Sequence, residues 1–301
     1  MNNKRKYYGI IPPLVTPLKA DETLDVQGVK NLVDYCVRGG VTGVFVNGTS
    51  GEALRLPDSV WEANTREVLK AVDNRVPVFC GAIDTCTTRV IEKIRKIEDM
   101  GGQIAVCTPP FYLTSFGQDE ILRHYEKICS KTNIDIAVYN IPETTHANIL
   151  PETIEVMADW DKIVAYKDST ADWQQLQRAL FLCEDKDIAI LNGAEELCAS
   201  AMLYGADGCI PGLGNYMPEL FTELYKLCQE GRVRESYELQ KRIYKIRKCI
   251  FVNGCWMSGM KHLLKAFGIA GDGISSALVN LTKDQEKEAL TILRNNGIAN
   301  L

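Results

Sequence analysis

The chain of 301 residues has only three histidines (His124, His146, His262), and none of its eleven cysteines forms a Cys-x-x-Cys pair. No histidine is spaced with a cysteine as a metal site requires, so neither a metal ligand set nor a cofactor is expected. Cys80, Cys107 and Cys209 lie inside apolar runs, and reduced, buried thiols acting as small hydrophobes are expected. No apolar run is long enough to span a membrane. None follows the basic start Lys4-Arg5-Lys6 as a signal peptide requires, and a cytoplasmic protein without a membrane partner is expected. On that basis Asn47-Gly48-Thr49 and Asn280-Leu281-Thr282 are chance sequons. Positive charge is not in excess: the formal charge is −5 with basic residues scattered, which argues against nucleic acid as a partner. No Gly-x-Gly-x-x-Gly turn follows the first strand, which disfavours a doubly wound dinucleotide fold.

What is present is alternation. Gly9 to Thr16 reads as extended, since Pro12-Pro13 excludes helix. Helical spacing from Val26 to Arg38 ends at Gly39-Gly40 and leads to a strand at 41–46. Helices then follow at about 58–72, 87–100, 118–131, 151–158, 173–183 and 195–204. The strands between them are expected at 76–81, 103–108, 135–139, 163–166, 188–191 and 207–210. Eight short apolar strands separated by helices are the arithmetic of a (β/α)8 TIM barrel. From Pro218 the pattern is helical only, at 219–229, 232–251, 255–267 and 283–295. The expected organisation is a barrel over residues 1–230 with a C-terminal helical extension over 231–301. No Pro-, Gly- or Ser-rich linker separates the two.

In such barrels the site lies at the carboxyl ends of the strands. Ile163-Val164-Ala165-Tyr166 delivers Lys167 there. Desolvation lowers an amine's pKa, and a neutral amine forms a Schiff base with a carbonyl substrate. The plain alternative is a surface lysine closing a strand. Tyr139 ends the neighbouring strand and should lie roughly 5 Å away laterally, close enough to move the protons of imine formation. Gly48-Thr49-Ser50-Gly51 offers hydroxyls and backbone N–H groups in a tight turn, a nest suited to a carboxylate. The same strand ends place Tyr112, Gly193 and Ile210 at the rim.

Asn47-Gly48-Thr49-Ser50-Gly51-Glu52, Tyr139-Asn140-Ile141-Pro142 and Tyr166-Lys167-Asp168-Ser169 resemble the signature segments of the dihydrodipicolinate synthase/N-acetylneuraminate lyase family. Pro110-Phe111-Tyr112 and Gly205-Ala206-Asp207-Gly208 match as well, and order and spacing hold from about residue 7 to 270. The resemblance implies a (β/α)8 barrel with C-terminal helices, assembled as a homotetramer (a dimer of dimers), and a class I aldolase or lyase using pyruvate. It implies that Lys167 forms the Schiff base and that Tyr139 is the acid/base. Thr49 would link Tyr139 to a Tyr112 reaching across a subunit interface. Thr49 and Ser50 would hold the carboxylate, and the backbone at Gly193 and Ile210 would line the pyruvate end.

The aldehyde half follows from the departures. Dihydrodipicolinate synthases carry an arginine where this chain has Thr144, preceded by Glu143, and a threonine makes no bidentate contact with a carboxylate. Asn192-Gly193-Ala194-Glu195-Glu196 instead resembles the Gly-x-Asp-Glu of the sialic-acid lyases, whose acids bind sugar hydroxyls. Ser169 matches a hydroxyl that meets the sugar there, whereas Gly212 stands where those lyases have a serine. Glu195 and Glu196 also suit a helix N-terminus on electrostatic grounds alone. The expected substrates are pyruvate with an aldehyde, joined in a 2-oxo-3-deoxy sugar acid or sialic-acid-like compound. The alternatives are 4-hydroxy-tetrahydrodipicolinate synthase, using aspartate semialdehyde, and a non-catalytic oxo-acid sensor.

Overall fold

Short runs of buried apolar residues become eight parallel strands: β1 (Gly9–Ile10), β2 (Val44–Val46), β3 (Val78–Gly81), β4 (Ile104–Cys107), β5 (Asp135–Asn140), β6 (Ile163–Asp168), β7 (Ala189–Asn192) and β8 (Gly208–Cys209). The structure, a computed structural model, describes residues 5–112 and 117–298. Lys4, and the outer ends of the expected 1–230 and 231–301 units, lie outside the described residues. From β2 to β8 each strand pairs with its sequence neighbour, and β1 pairs with β8. A parallel bridge between Pro13 and Phe45 joins the remaining two edges, so the sheet closes into a (β/α)8 barrel. Across that seam Thr42 N–H donates to the Ile10 carbonyl (2.9 Å), Phe45 N–H to Pro12 (2.9 Å) and Leu14 N–H to Phe45 (2.7 Å). Pro12 and Pro13 have no N–H to give, which holds β1 to two residues.

Side-chain alternation sorts the strands into two cores. Residues of one parity, among them Phe45, Phe79, Val106, Ala137, Tyr139, Ala165, Leu191 and Ile210, fill the bore. Their neighbours, such as Val44, Val138, Tyr166 and Ile190, pack outward against the helices. With a period of two, Lys167 shares the parity of Ala165 and Tyr139 that of Ala137, so both point along the bore.

A helix follows each strand: Val26–Arg38, Asp58–Val72, Thr87–Asp99, Gln118–Lys131, Pro151–Met157, Trp173–Leu182, Cys198–Leu203 and Pro218–Gln229. Their starts are fixed by side chains where the sequence provides them. Asp25 accepts from Gly28 N–H (3.0 Å), and Asp172 accepts from the N–H groups of Gln174 and Gln175. Helices Val233–Arg247, Trp256–Ala266 and Lys283–Asn295 form the C-terminal part, the last begun by a Thr282/Gln285 capping box. Ile243, Ile246, Leu263, Ala289 and Leu293 join the same apolar cluster as the barrel's outer layer.

Several boundaries differ from expectation for local reasons. β6 runs on through Lys167 and Asp168, which pair with Tyr139 and Asn140 on one side and Leu191 and Asn192 on the other. A turn of helix at Pro142–Thr145, with proline in the first turn, was not expected from the sequence. The expected helix 195–204 is a 3₁₀ turn, Glu195–Leu197, followed by Cys198–Leu203. The helix expected at 232–251 stops at Arg247 and continues as a 3₁₀ turn, Lys248–Ile250. All eleven cysteines are unpaired. Eight are buried as expected, while Cys86 is exposed and Cys129 and Cys255 are half-buried.

Candidate active site

Lys167 is 5 % exposed and sits within the bore of the barrel. Its register partner on β5 is Tyr139, and its Nζ lies 3.9 Å from the centre of the Tyr139 ring and 5.2 Å from that of Phe45. The Phe45 and Tyr139 rings meet edge to face, 6.1 Å apart, and fix one another. Among the described residues no carboxylate comes within ion-pair distance of Lys167. The amine therefore meets aromatic faces rather than an acid.

The Tyr139 hydroxyl lies 3.5 Å from Thr49 Oγ1. Thr49 belongs to the turn that follows β2, which is closed by bonds from the N–H groups of Gly51, Glu52 and Ala53. The Thr49 and Ser50 N–H groups take no part in those bonds. Asn47, at φ 55°, anchors the turn: its Nδ2 donates to the Trp61 carbonyl (2.9 Å) and Thr65 Oγ1 (2.7 Å), and its Oδ1 accepts from Asn64 (2.8 Å). Glu52, at φ 58°, closes the other side through Lys261 Nζ (2.8 Å) and Ser275 Oγ (2.6 Å). Two hydroxyls and spare N–H groups held this firmly can receive a carboxylate.

Gly193 packs against the lysine. A Cβ there would stand 2.8 Å from Lys167 Cε and inside the contact radius of Ser169 Oγ, so only hydrogen fits. Gly193 N–H donates to the Asp168 carbonyl (2.6 Å), and Ile210 N–H to the Asn192 carbonyl (2.8 Å), which places both backbones beside the reactive end of β6. Behind the strands, Asp168 accepts from Thr170 N–H (2.7 Å) and Oγ1 (2.6 Å), Tyr166 OH (3.1 Å) and Gln175 Nε2 (3.2 Å). Burial pushes its carboxyl pKa up against these bonds. This cluster locks the strands that carry Lys167 and Tyr139.

Glu195 and Glu196 are placed differently from the expected sugar-binding pair. Glu195 is buried, its Oε1 accepting from Leu213 N–H (2.6 Å) and its Oε2 from Arg247 Nε (3.1 Å), while Arg247 Nη1 also meets Glu196 (2.6 Å). Burial pushes the Glu195 pKa up. Both acids meet Arg247 on a helix of the C-terminal part: Glu195 because a buried carboxylate must find a partner, and Glu196, which is exposed, as a surface ion pair. That arrangement ties β7 to the extension instead of offering two free acids at the mouth. Tyr112 is 85 % exposed at φ 81° and makes no hydrogen bond to Thr49 within its own chain.

A cavity of about 210 Å³ opens on the far side of Thr49, with Arg55, Thr108, Phe111, Thr144, Thr145 and Met257 among its walls. Sequence reasoning expected Thr144 here and missed Arg55 and Thr108. Neither belongs to a recognised segment, and no local pattern marks them. Among the described residues no cluster of three or more His, Cys, Asp or Glu side chains is gathered as for a metal, and no helix is long and apolar enough to cross a membrane.

A closed parallel barrel with an amine, a phenol and a hydroxyl-lined turn at its carboxyl end defines a Schiff-base-forming enzyme class. The family model described as dihydrodipicolinate synthetase matches residues 6–296. The chain belongs to that family and is a pyruvate-using carbon–carbon lyase of the aldolase type. It is 30% identical over 283 residues to the 4-hydroxy-tetrahydrodipicolinate synthase of Porphyromonas gingivalis, covering 94% of each chain. To that of Thermodesulfovibrio yellowstonii it is 27% identical over 292 residues, covering 97% of this chain and 99% of the other. The solved dihydrodipicolinate synthase of Bacteroides thetaiotaomicron superposes with a TM-score of 0.92 at 30% identity, covering 98% of this chain and all of that one.

Proposed function

We propose that the protein makes or breaks a bond between pyruvate and an aldehyde through a Schiff base on Lys167, with Tyr139 as acid/base. The observation that carries this is the stacking of the Lys167 amine over the Tyr139 ring at 3.9 Å, with the phenol 3.5 Å from Thr49. In the joining direction the amine adds to C2 of pyruvate and water leaves, giving an iminium. Loss of a C3 proton gives the enamine, whose C3 attacks the aldehyde carbon. The new alkoxide takes a proton, and water then releases the product from the lysine. Tyr139 would carry the protons lost and gained in these steps, and Thr49 would orient its hydroxyl. The Thr49-Ser50 turn would hold the pyruvate carboxylate, with the backbone at Gly193 and Ile210 beside it. Borohydride with pyruvate should add one adduct mapped to Lys167, and a protein left unlabelled would refute the proposal.

For the aldehyde half, the cavity hydroxyls of Thr49, Thr108, Thr144 and Thr145, with Ser169 beside the lysine, support a hydroxylated partner and hence a 2-oxo-3-deoxy sugar acid. Glu195 drops out of this reading, since its oxygens are already bonded. The second reading, 4-hydroxy-tetrahydrodipicolinate synthase, is favoured by the names of the relatives and by a cation, Arg55, in the cavity that Thr144 leaves uncharged. Pyruvate release from a panel of 2-oxo-3-deoxy acids, run beside a coupled assay with aspartate semialdehyde, separates the two. Tyr139→Phe addresses the sensor alternative: lost turnover with retained pyruvate affinity marks an enzyme. The exposed Tyr112 beside the cavity residue Phe111 supports completion of the site by a second copy in a homotetramer, which light scattering tests.

A further inference from the structure

Arg55 and Thr108 face the same cavity from different loops, and neither side chain has a partner among the described residues. Arg55 is exposed, and among the described residues its guanidinium has no ion-pair partner. The nearby acid Glu52 is already held by Lys261 and Ser275. Thr108 is 1 % exposed, and its hydroxyl has no hydrogen-bond partner among the described residues. A buried hydroxyl left unpaired is costly, and a ligand group that reaches it removes the cost. Leu54, Ile83, Phe111 and Met257 add apolar walls beside the threonines, and Arg55 is the one cation among the described lining residues. Thr49, in the cavity wall, has its hydroxyl 3.5 Å from the Tyr139 phenol, so the cavity borders the proposed chemistry on the side open to an aldehyde.

Arg55 also acts on a neighbouring group. Cys255 caps helix Trp256–Ala266, whose Met257 lines the cavity. Burial raises the Cys255 pKa, yet the Ser258 N–H and hydroxyl outweigh it, with Arg55 adding to the fall.

We propose that Arg55 and Thr108 form a subsite for a hydroxylated, anionic tail on the aldehyde substrate, with Arg55 as the residue that selects for the charge. The subsite rests on the Lys167 aldolase reading and narrows it: a neutral sugar tail leaves Arg55 unused. A planar fork of donors recognises a carboxylate or a phosphate. Which anion it takes is decided by a matched set of trioses condensed with pyruvate: tartronate semialdehyde, D-glyceraldehyde 3-phosphate and neutral D-glyceraldehyde.

The wild-type protein should prefer one charged triose over glyceraldehyde by tenfold or more in kcat/KM. Arg55→Gln should cut that preference by about 10- to 100-fold, with Arg55→Lys keeping part of it. Thr108→Val should lower kcat/KM several-fold for all three. A preference that is flat, or that Arg55→Gln leaves within twofold, overturns the subsite. Binding is read separately on protein carrying the borohydride-reduced pyruvate adduct, by calorimetry with D-glycerate, 3-phosphoglycerate and glycerol. Heat from neither anion overturns the subsite even if no triose turns over. Failure to trap pyruvate on wild-type Lys167 would instead overturn the aldolase reading, so the two failures are distinguishable.

Discussion

A Cβ at Gly193 would press on Lys167 Cε at 2.8 Å, and the amine has no slack to move because Tyr139 and Phe45 hold its other side. Gly193→Ala should therefore displace the nucleophile and lower kcat about 100-fold, consistent with the cost of a misplacement of roughly 1 Å. Pyruvate trapping should slow in parallel, while the unfolding midpoint in urea moves little. A variant with near-normal kcat would show that the lysine tolerates displacement. Thr49→Val removes the hydroxyl beside Tyr139 and is expected to lower kcat by one to two orders of magnitude. A change confined to KM would assign Thr49 to carboxylate binding alone.

Between elements, two buried contacts carry specific consequences. Lys261, on helix Trp256–Ala266, reaches Glu52 and the Thr16 carbonyl while both charged side chains are essentially sealed from water. Burial lowers the Lys261 pKa, and the Glu52 charge opposes that fall. Lys261→Met leaves buried Glu52 without its counter-ion, with only Ser275 still donating to it, and should cost about 3–5 kcal/mol in urea denaturation. The double variant Lys261→Met/Glu52→Gln should recover much of that loss.

His124 bridges helix Gln118–Lys131 to Thr87 Oγ1 (2.9 Å) and the Thr108 carbonyl (3.2 Å). Burial depresses its pKa from 6.5 to about 4. Its folded-state pKa lies below its unfolded value, so the unfolded chain binds the proton first. Stability falls as pH drops from about 6.5 toward 4, by about 3 kcal/mol in all. The buried carboxyls of Asp168, Glu195 and Asp207 are raised and act in the opposite sense as pH falls. His124→Gln isolates the imidazole: relative to wild type, the variant's urea midpoint should lose less between pH 7 and 4.5. Parallel curves would overturn the assignment.

At the scale of the molecule, the barrel was legible in the sequence because each strand is a short apolar run with its own helix behind it. Lys167 and Tyr139 were legible because both stand at strand ends. Their parity was implicit in the spacing from Ala165 and Ala137. The extensions of β5, β6 and β7 were not, since Asn140, Asp168 and Asn192 are polar and read as turn residues until ladder pairing and side-chain networks hold them. Glu195 looked like a free acid because its partner Arg247 is 52 residues away in a stretch that reads as an ordinary charged helix. Arg55 carried no local signal, being an arginine in a loop whose meaning comes only from the cavity it borders.

Where Pro12 and Pro13 meet β2, the ring of staves is fastened by carbonyls on one side and few donors on the other. Transient breathing of the cylinder should begin along that line. In native-state deuterium uptake, the Phe45 and Leu14 amides should label before those of Val138 and Tyr166 on the opposite wall. Because the Thr49-Ser50 turn hangs from the same stave, the cradle for the pyruvate carboxylate would loosen with it, and pyruvate should slow exchange there first.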